Sequence, residues 1–272
     1  MLVGCTLVAG CSSSDGSGTT GGEDSTGTSI DADLPKASGR VVNCKQAAGG
    51  GGEPTADVER LVDNLISQAS LVEAEAYDEF DLVCDNAGVS TLEAPAAYTD
   101  VEPAPLGPPQ AAIRVSTDFT SRVEESPIVS FFAAPVGGAQ FPTQPGFGTI
   151  IQQSADGSLS SGTRDPREGA TISEECRALP IRDLATGDFT GKAQFFVNCG
   201  GDQRAWVLIL AAPDNGDPYF VQVVAQVLDT ADAEALGRLL TTMDVDTDAL
   251  ARFAEATAPV EPADGTTTTI AP

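Results

Sequence analysis

The chain has 272 residues, with 40 acidic side chains against 14 basic ones, and its net charge is −26. This charge repels nucleic acid and anionic lipid headgroups, so we expect no nucleic-acid partner. The sequence contains no histidine, which removes Ser-His-Asp and Cys-His nucleophilic catalysis and the usual histidine-based zinc sites, and we expect neither an enzyme nor a bound cofactor.

The N-terminal residues 1–10 form an apolar run that ends in small residues, which is typical of a secretory signal peptide. The stretch Val8-Ala9-Gly10-Cys11 resembles the lipobox of bacterial lipoproteins. The resemblance implies that the thiol of Cys11 carries a diacylglyceryl group and that Cys11 is the first residue of the mature protein. The protein would then be anchored to the outer face of the cell membrane, because two acyl chains on one residue hold a protein there stably.

The basic start of a signal peptide is missing, since no Lys or Arg precedes Lys36. We therefore expect that the start codon is placed too late and that the signal peptide is truncated. Cys5 closes a second candidate lipobox, with a much shorter apolar run before it. A buried apolar strand with an incidental cysteine is the alternative interpretation of this region.

Residues 11–39 are rich in Gly, Ser and Thr and show no apolar periodicity, which predicts a flexible tether. Residues 55–83 predict one or two helices, with Thr55 as the first cap. Apolar residues recur there at helical spacing: Val58, Leu61, Val62, Leu65, Ile66 and Ala69. We interpret residues 40–90 as a small helical disulfide-bonded unit, followed by a proline-rich linker at 91–110.

Four cysteines lie beyond the signal region: Cys44, Cys84, Cys176 and Cys199. An even number in an exported chain predicts two disulfides, and three pairings are possible. We favour Cys44–Cys84 and Cys176–Cys199, because each closes a loop within one predicted unit. A structural metal site made by the four cysteines is the alternative, but the sequence has no C-x-x-C pair, so we expect no metal.

Residues 111–257 predict an α+β domain, and the threonine-rich residues 258–272 predict a disordered tail. Short apolar runs predict strands at 111–116, 128–132, 147–151 and 193–197.

The clearest local signal in the chain is a hairpin, because the apolar runs 205–210 and 219–227 flank Asn215-Gly216. The next segment, over about 229–242, predicts a helix with a polar cap and one apolar face. The hairpin and this helix form the end of the predicted α+β domain.

An ordered series of features in the C-terminal half comprises Cys176, Asn198-Cys199-Gly200-Gly201, the hairpin, the helix and Met243-Asp244-Val245. Over about residues 111–248, the chain resembles the C-terminal extracellular domains of secreted or membrane-tethered proteins of high-GC Gram-positive bacteria, which are similar to the PsbP-like fold. The resemblance implies an antiparallel sheet with packed helices and an extracellular setting. It implies no catalytic residues.

Two pairs of acidic residues, Glu124-Glu125 and Glu174-Glu175, are candidates for the paired carboxylates of a glycoside hydrolase. Neighbouring residues on a strand point to opposite faces, so neither pair is suited to this by itself. With 40 acidic residues in the chain, such pairs are expected by chance. We therefore assign no catalytic residues.

The segment Asp244-Val245-Asp246-Thr247-Asp248, together with Glu255, matches part of a calcium-binding loop. Ala249 stands where such a loop needs glycine, and Arg252 stands at another ligand position. A capped helix start near Asp248 is the interpretation that we favour.

The sequence favours a lipid-anchored lipoprotein of the cell envelope that has a non-catalytic binding, sensor or accessory role. Its expected partners are the membrane, through the lipid anchor, and an envelope protein or small ligand. A carboxylate-based hydrolase acting on cell-wall or extracellular polymer is the alternative, and a calcium-stabilised surface module is a third possibility. Trp206 and Tyr219 are interpreted as core residues, with a ligand platform as the alternative.

Overall fold

The computed structural model describes residues 54–102, 111–119, 125–137, 141, 143–156 and 171–256 of the chain. Several predictions fall outside these residues: the signal peptide, Cys11, the tether, Cys44, Glu124 and the C-terminal tail.

The described residues form an α+β structure, as the sequence predicts. The helices are α1 (Ala56–Ala69), α2 (Phe147–Ala155), α3 (Ile172–Glu175), α4 (Thr230–Thr242) and α5 (Thr247–Ala256). The strands are β1 (Phe80–Cys84), β2 (Ser90–Pro95), β3 (Asp100–Glu102), β4 (Ala111–Ser116), β5 (Ile128–Pro135), β6 (Arg177–Ala178), β7 (Arg182–Ala185), β8 (Phe189–Val197), β9 (Ala205–Pro213), β10 (Tyr219–Val227) and β11 (Asp244–Val245).

The larger of two sheets has eight antiparallel strands in the order β3-β4-β5-β10-β9-β8-β6, and β7 also pairs with β8. The predicted hairpin is confirmed as β9 and β10, near the middle of this sheet. Gly216 in its turn has a φ of +83°, a backbone conformation that glycine adopts easily. Residues 205–211 are all buried, because this part of the sheet is covered on both faces, and the strand is therefore apolar throughout.

The two faces of the large sheet belong to two hydrophobic cores. On one face, Val207 and Ile209 of β9 share a core with α1, α4 and α5. On the other face, Leu208 packs in a second core with Ile151 of α2. The smaller sheet has the order β1-β2-β11 and contributes Leu92 to the first core. Helices therefore cover both faces of a central antiparallel sheet.

The disulfide Cys176–Cys199 is present, as predicted. It joins the residue that ends α3 to a 3-10 turn, Cys199–Gly201, which follows β8. With a sequence separation of 23 residues, it stabilises the fold by about 3 kcal/mol. Cys84 is also disulfide-bonded, and its partner lies outside the described residues.

Residues 147–151 were predicted as a strand, and this prediction is wrong because they form the first part of α2. A short apolar run has the same composition in a buried strand and in a buried helix, so periodicity does not distinguish them. The helix buries Ile150, Ile151 and Ala155 on one side, against the large sheet.

The described part of the predicted unit 40–90 shares a hydrophobic core with residues of the predicted α+β domain. The helix α1 ends at Ala69, and strands β1 and β2 follow it in place of a second helix. Leu65 of α1, Val83 of β1 and Leu236 of α4 all belong to the first core. The proline-rich segment 91–110 was expected to be a linker, but β2 extends into it and β3 lies within it.

Candidate ligand groove between two helices

The helix α1 is fixed at its first turn by Thr55. The Thr55 hydroxyl accepts a hydrogen bond from the Val58 N–H at 3.3 Å and donates one to the Ala185 carbonyl of β7 at 3.1 Å. Four residues on one side of the helix are buried: Val58, Leu61, Leu65 and Ala69. Glu59 and Asp63 are exposed and lie next to that buried side, four residues apart. This arrangement gives α1 an acidic edge along its apolar face.

The helix α4 is capped by Asp229, whose side chain accepts a hydrogen bond from the Asp232 N–H at 3.0 Å. Most of α4 is buried, whereas Glu234 and Arg238 are exposed. These two residues are four apart and therefore lie on the same side of the helix.

The two helices touch at Gly237 of α4. A Cβ atom on Gly237 would lie 2.8 Å from Cγ2 of Val62, which is closer than two carbon atoms can approach without a shift. Glycine at this position therefore allows the backbone of α4 to lie directly against α1, at the expense of about 1 kcal/mol of helix propensity.

Beside this contact, α1 and α4 enclose a groove of about 630 Å³, which we call the α1–α4 groove. Its apolar lining includes Val62 and Ile66, which are partly exposed and lie one turn apart along α1, and Val58, which is fully buried one turn before them. Its polar lining includes Glu59, Asp63, Glu93, Glu234 and Arg238. The groove thus combines an apolar floor with a charged rim.

The rim of the α1–α4 groove is acidic on balance. Arg238 is paired with Glu93 of β2, with Nε at 2.7 Å from Oε2, and its guanidinium lies 4.2 Å from the centre of the Phe80 ring. No ion pair within the described part of the chain involves Glu59, Asp63 or Glu234. Three carboxylates therefore contribute an unbalanced negative potential to the groove.

A second acidic feature of α4 is enclosed in the protein. Oδ1 of Asp232 accepts hydrogen bonds from the hydroxyls of Tyr77, at 2.8 Å, and Tyr98, at 2.9 Å. Oδ2 accepts the Leu228 N–H at 3.0 Å. The two tyrosine rings meet edge to face, with centroids 5.7 Å apart. We call these three side chains the Asp232 cluster.

Burial, and next the charge of Asp229, raise the pKa of Asp232, although the Leu228 N–H and the tyrosine hydroxyls act in the opposite direction. Burial and the charge of Asp232 raise the pKa of Tyr98 well above its usual value, and the same two causes raise that of Tyr77. Since both oxygens of the carboxylate are bonded inside the protein, the cluster anchors the chain after α1 to the beginning of α4.

The structure places the acidic pair Glu174-Glu175 in structural roles. Glu174 forms a capping box with Thr171 at the start of α3. Glu175 lies near the buried Arg204, with 3.8 Å between Oε2 and Nη2. In the other pair, Glu125 is exposed.

The segment considered as a calcium loop forms the end of the smaller sheet and the start of α5. Asp244 lies in β11, and the Asp246 side chain accepts the Ala249 N–H at 2.8 Å, so the helix begins with a cap. Among the described residues, no group of three or more Cys, Asp or Glu side chains is arranged to hold a metal ion. Trp206 and Tyr219 are buried, as expected for core residues.

The sequence interpretation did not identify the groove residues. A glycine inside a predicted helix, at Gly237, was the signal that could have revealed a close helix contact. Which helix it contacts depends on packing between distant segments, which periodicity does not reveal.

No known family model and no curated protein matches this chain. None of the helices in the described ranges is long and apolar enough to cross a membrane. The features of this protein that bear on its function are therefore the α1–α4 groove and the chemistry of the sequence.

Proposed function

We propose that this protein is a lipid-anchored lipoprotein of the cell envelope whose folded part binds a ligand without catalysis, and that the α1–α4 groove is the binding site. The lipobox-like stretch that ends at Cys11 supports the anchor. The disulfide Cys176–Cys199 supports an oxidising compartment outside the cytosol.

The binding proposal is supported by the volume of the groove together with the residues that line it. Its volume of about 630 Å³ lies in the usual range for ligand sites, roughly 300–1,000 Å³. An apolar floor with a few polar groups at the rim is the typical composition of such sites. The groove also lies between two helices that are fixed by side-chain caps and by a shared core, so its walls are preorganised.

The anchor is tested by intact mass spectrometry of the membrane fraction, after expression in a bacterial host with a basic signal-peptide start added before Met1. We expect a mature N-terminus at Cys11 with the added mass of a diacylglyceryl group. An unmodified chain in the soluble cytosolic fraction would contradict both the anchor and the location.

The groove is tested with Nile red, a neutral apolar dye whose fluorescence rises in an apolar site. We expect that Ile66→Gln weakens binding by about fivefold or more, because it puts a polar group on the apolar floor. The matched control is Val72→Gln, which changes an exposed aliphatic residue outside the groove and should leave binding unchanged. Circular dichroism of both variants checks that they are folded, and equal binding by all three proteins would contradict the groove as the site.

A further inference from the structure

The charged residues of the α1–α4 groove lie in a regular arrangement. The partly exposed Val62 and Ile66 extend along the floor for about 6 Å, at 1.5 Å per residue of helix, and the buried Val58 lies one turn before them. Glu59 and Asp63 follow the same helix one turn apart, immediately beside this floor. A ligand in the groove would therefore meet an apolar stripe with a parallel row of carboxylates.

The opposite wall of the groove, formed by α4, adds negative charge to that of Glu59 and Asp63 and does not neutralise it. Glu234 of α4 is exposed on the rim, and Arg238, the basic residue among the described lining residues, is held by Glu93 and Phe80. Carboxylates therefore stand on both sides of an apolar floor. A ligand with a single positive charge needs one of them, whereas a ligand with several positive charges can pair with all three.

The net charge of the chain limits the classes of ligand that the groove can bind. A second copy would also carry a net charge of −26, so self-association through this acidic groove is opposed by repulsion. Anionic ligands are opposed in the same way. A cationic partner is attracted, and the apolar floor favours one that also carries apolar side chains.

We propose that the α1–α4 groove binds a cationic amphipathic peptide segment, whose apolar side chains lie against Val62 and Ile66 and whose Lys or Arg side chains pair with Glu59, Asp63 and Glu234. This proposal rests on the proposed binding function of the groove. Cations that are one turn apart on a helical segment match the spacing of Glu59 and Asp63. The peptide is recognised by the combination of charge and apolar contact, so neither property alone is sufficient.

The test uses the complete folded protein and two fluorescent peptides of about three helical turns. One contains leucine and lysine at amphipathic helical spacing, and the other has glutamine in place of each lysine. We expect the lysine peptide to bind more tightly, and its affinity to fall as salt is added, because the carboxylates are exposed and screened.

Two triple variants distinguish attraction by the groove carboxylates from attraction by the overall negative charge of the protein. In the first, Glu59→Gln, Asp63→Asn and Glu234→Gln neutralise the rim, and we expect at least about a tenfold loss of affinity for the lysine peptide, equivalent to 1.4 kcal/mol. In the second, Glu125→Gln, Asp214→Asn and Glu255→Gln remove the same number of charges at exposed positions outside the groove, and we expect little change. All six positions are exposed, so both proteins should fold.

The outcomes distinguish the proposal of a cationic amphipathic peptide from the broader proposal that the groove binds a ligand. If both peptides bind equally and Ile66→Gln weakens both, the groove is a binding site but has no preference for cations, and only this proposal is overturned. If the two triple variants lose affinity equally, the attraction is due to overall charge, and this proposal is again overturned. If spermine, a cation without apolar side chains, competes as well as the lysine peptide, the amphipathic part of the proposal is wrong. If neither the peptides nor Nile red bind, the binding function itself fails.

Discussion

The helix α4 carries two acidic sites that differ in their surroundings. Asp232 is buried and accepts three hydrogen bonds, from two tyrosine hydroxyls and one backbone N–H. Glu234, two residues further on, is exposed at the rim of the α1–α4 groove. The comparison shows that the number of internal partners decides the role of a carboxylate here. A carboxylate whose partners lie within the protein holds the fold together, and one without an ion-pair partner among the described residues is, in our proposal, the one that pairs with a ligand.

The largest expected effect is on stability, from Asp232→Ala. This change leaves the hydroxyls of Tyr77 and Tyr98 and the Leu228 N–H without their acceptor, and we expect a loss of about 3–5 kcal/mol in the free energy of unfolding. The exposed neighbour provides the control, since Glu234→Ala should change stability by no more than about 0.5 kcal/mol. Urea unfolding measures both, and similar losses in the two variants would contradict the comparison.

The next largest expected effect is a loss of stability at alkaline pH. Each of the three tyrosines of the chain has a raised pKa, with burial as the first cause: Tyr77, Tyr98 and Tyr219. A raised folded-state pKa means that the native state favours the protonated hydroxyl. Its contribution to stability is therefore complete below about pH 10, the unfolded value, and is lost as the pH rises above it.

We expect tyrosinate absorbance at 295 nm to appear together with the loss of circular dichroism signal, above about pH 10. Tyrosinate formation near pH 10 with native circular dichroism would show that the tyrosines are open to solvent. That result would contradict the enclosed Asp232 cluster.

A smaller loss of stability is expected from Gly237→Ala. The added methyl group would lie 2.8 Å from Cγ2 of Val62, and the resulting strain, of about 1–3 kcal/mol, should exceed the gain of about 1 kcal/mol in helix propensity. Adding Val62→Ala makes room for the methyl group, so the double variant should lose less than the sum of the two single variants. Strict additivity in thermal or urea unfolding would show that the two helices do not touch at this point.

The smallest effect on stability should come from the variant with Glu59→Gln, Asp63→Asn and Glu234→Gln. These exposed residues have no ion pair in the part of the chain that the structure describes and should contribute little to folding, so we expect a change within about 0.5 kcal/mol. This variant should nevertheless lose peptide binding. A loss of more than about 2 kcal/mol in the free energy of unfolding would show that these carboxylates, like Asp232, have a structural role.

Local signals in the sequence predicted several parts of the fold correctly. The Asn215-Gly216 turn between apolar runs is a short-range signal, and it identified β9 and β10. The helix predicted over about 229–242 is α4. The pairing Cys176–Cys199 was also correct, because both cysteines lie in one predicted unit.

The errors came from features that depend on distant contacts. Residues 147–151 form a helix that packs on the large sheet. The sheet residues in this contact lie far away in the chain. The chain before residue 95 joins the main core through contacts such as Val62 with Gly237. The α1–α4 groove could not be predicted for the same reason, since its walls come from opposite ends of the described chain.

The most direct test of the groove is a backbone amide NMR titration of the complete folded protein with the lysine peptide. We predict that shift changes concentrate on the facing sides of α1 and α4, including Val62 and Gly237, and are lost when the rim carboxylates are neutralised. Shift changes spread over acidic residues throughout the surface, or centred on the opposite face of the large sheet near α2, would contradict the account.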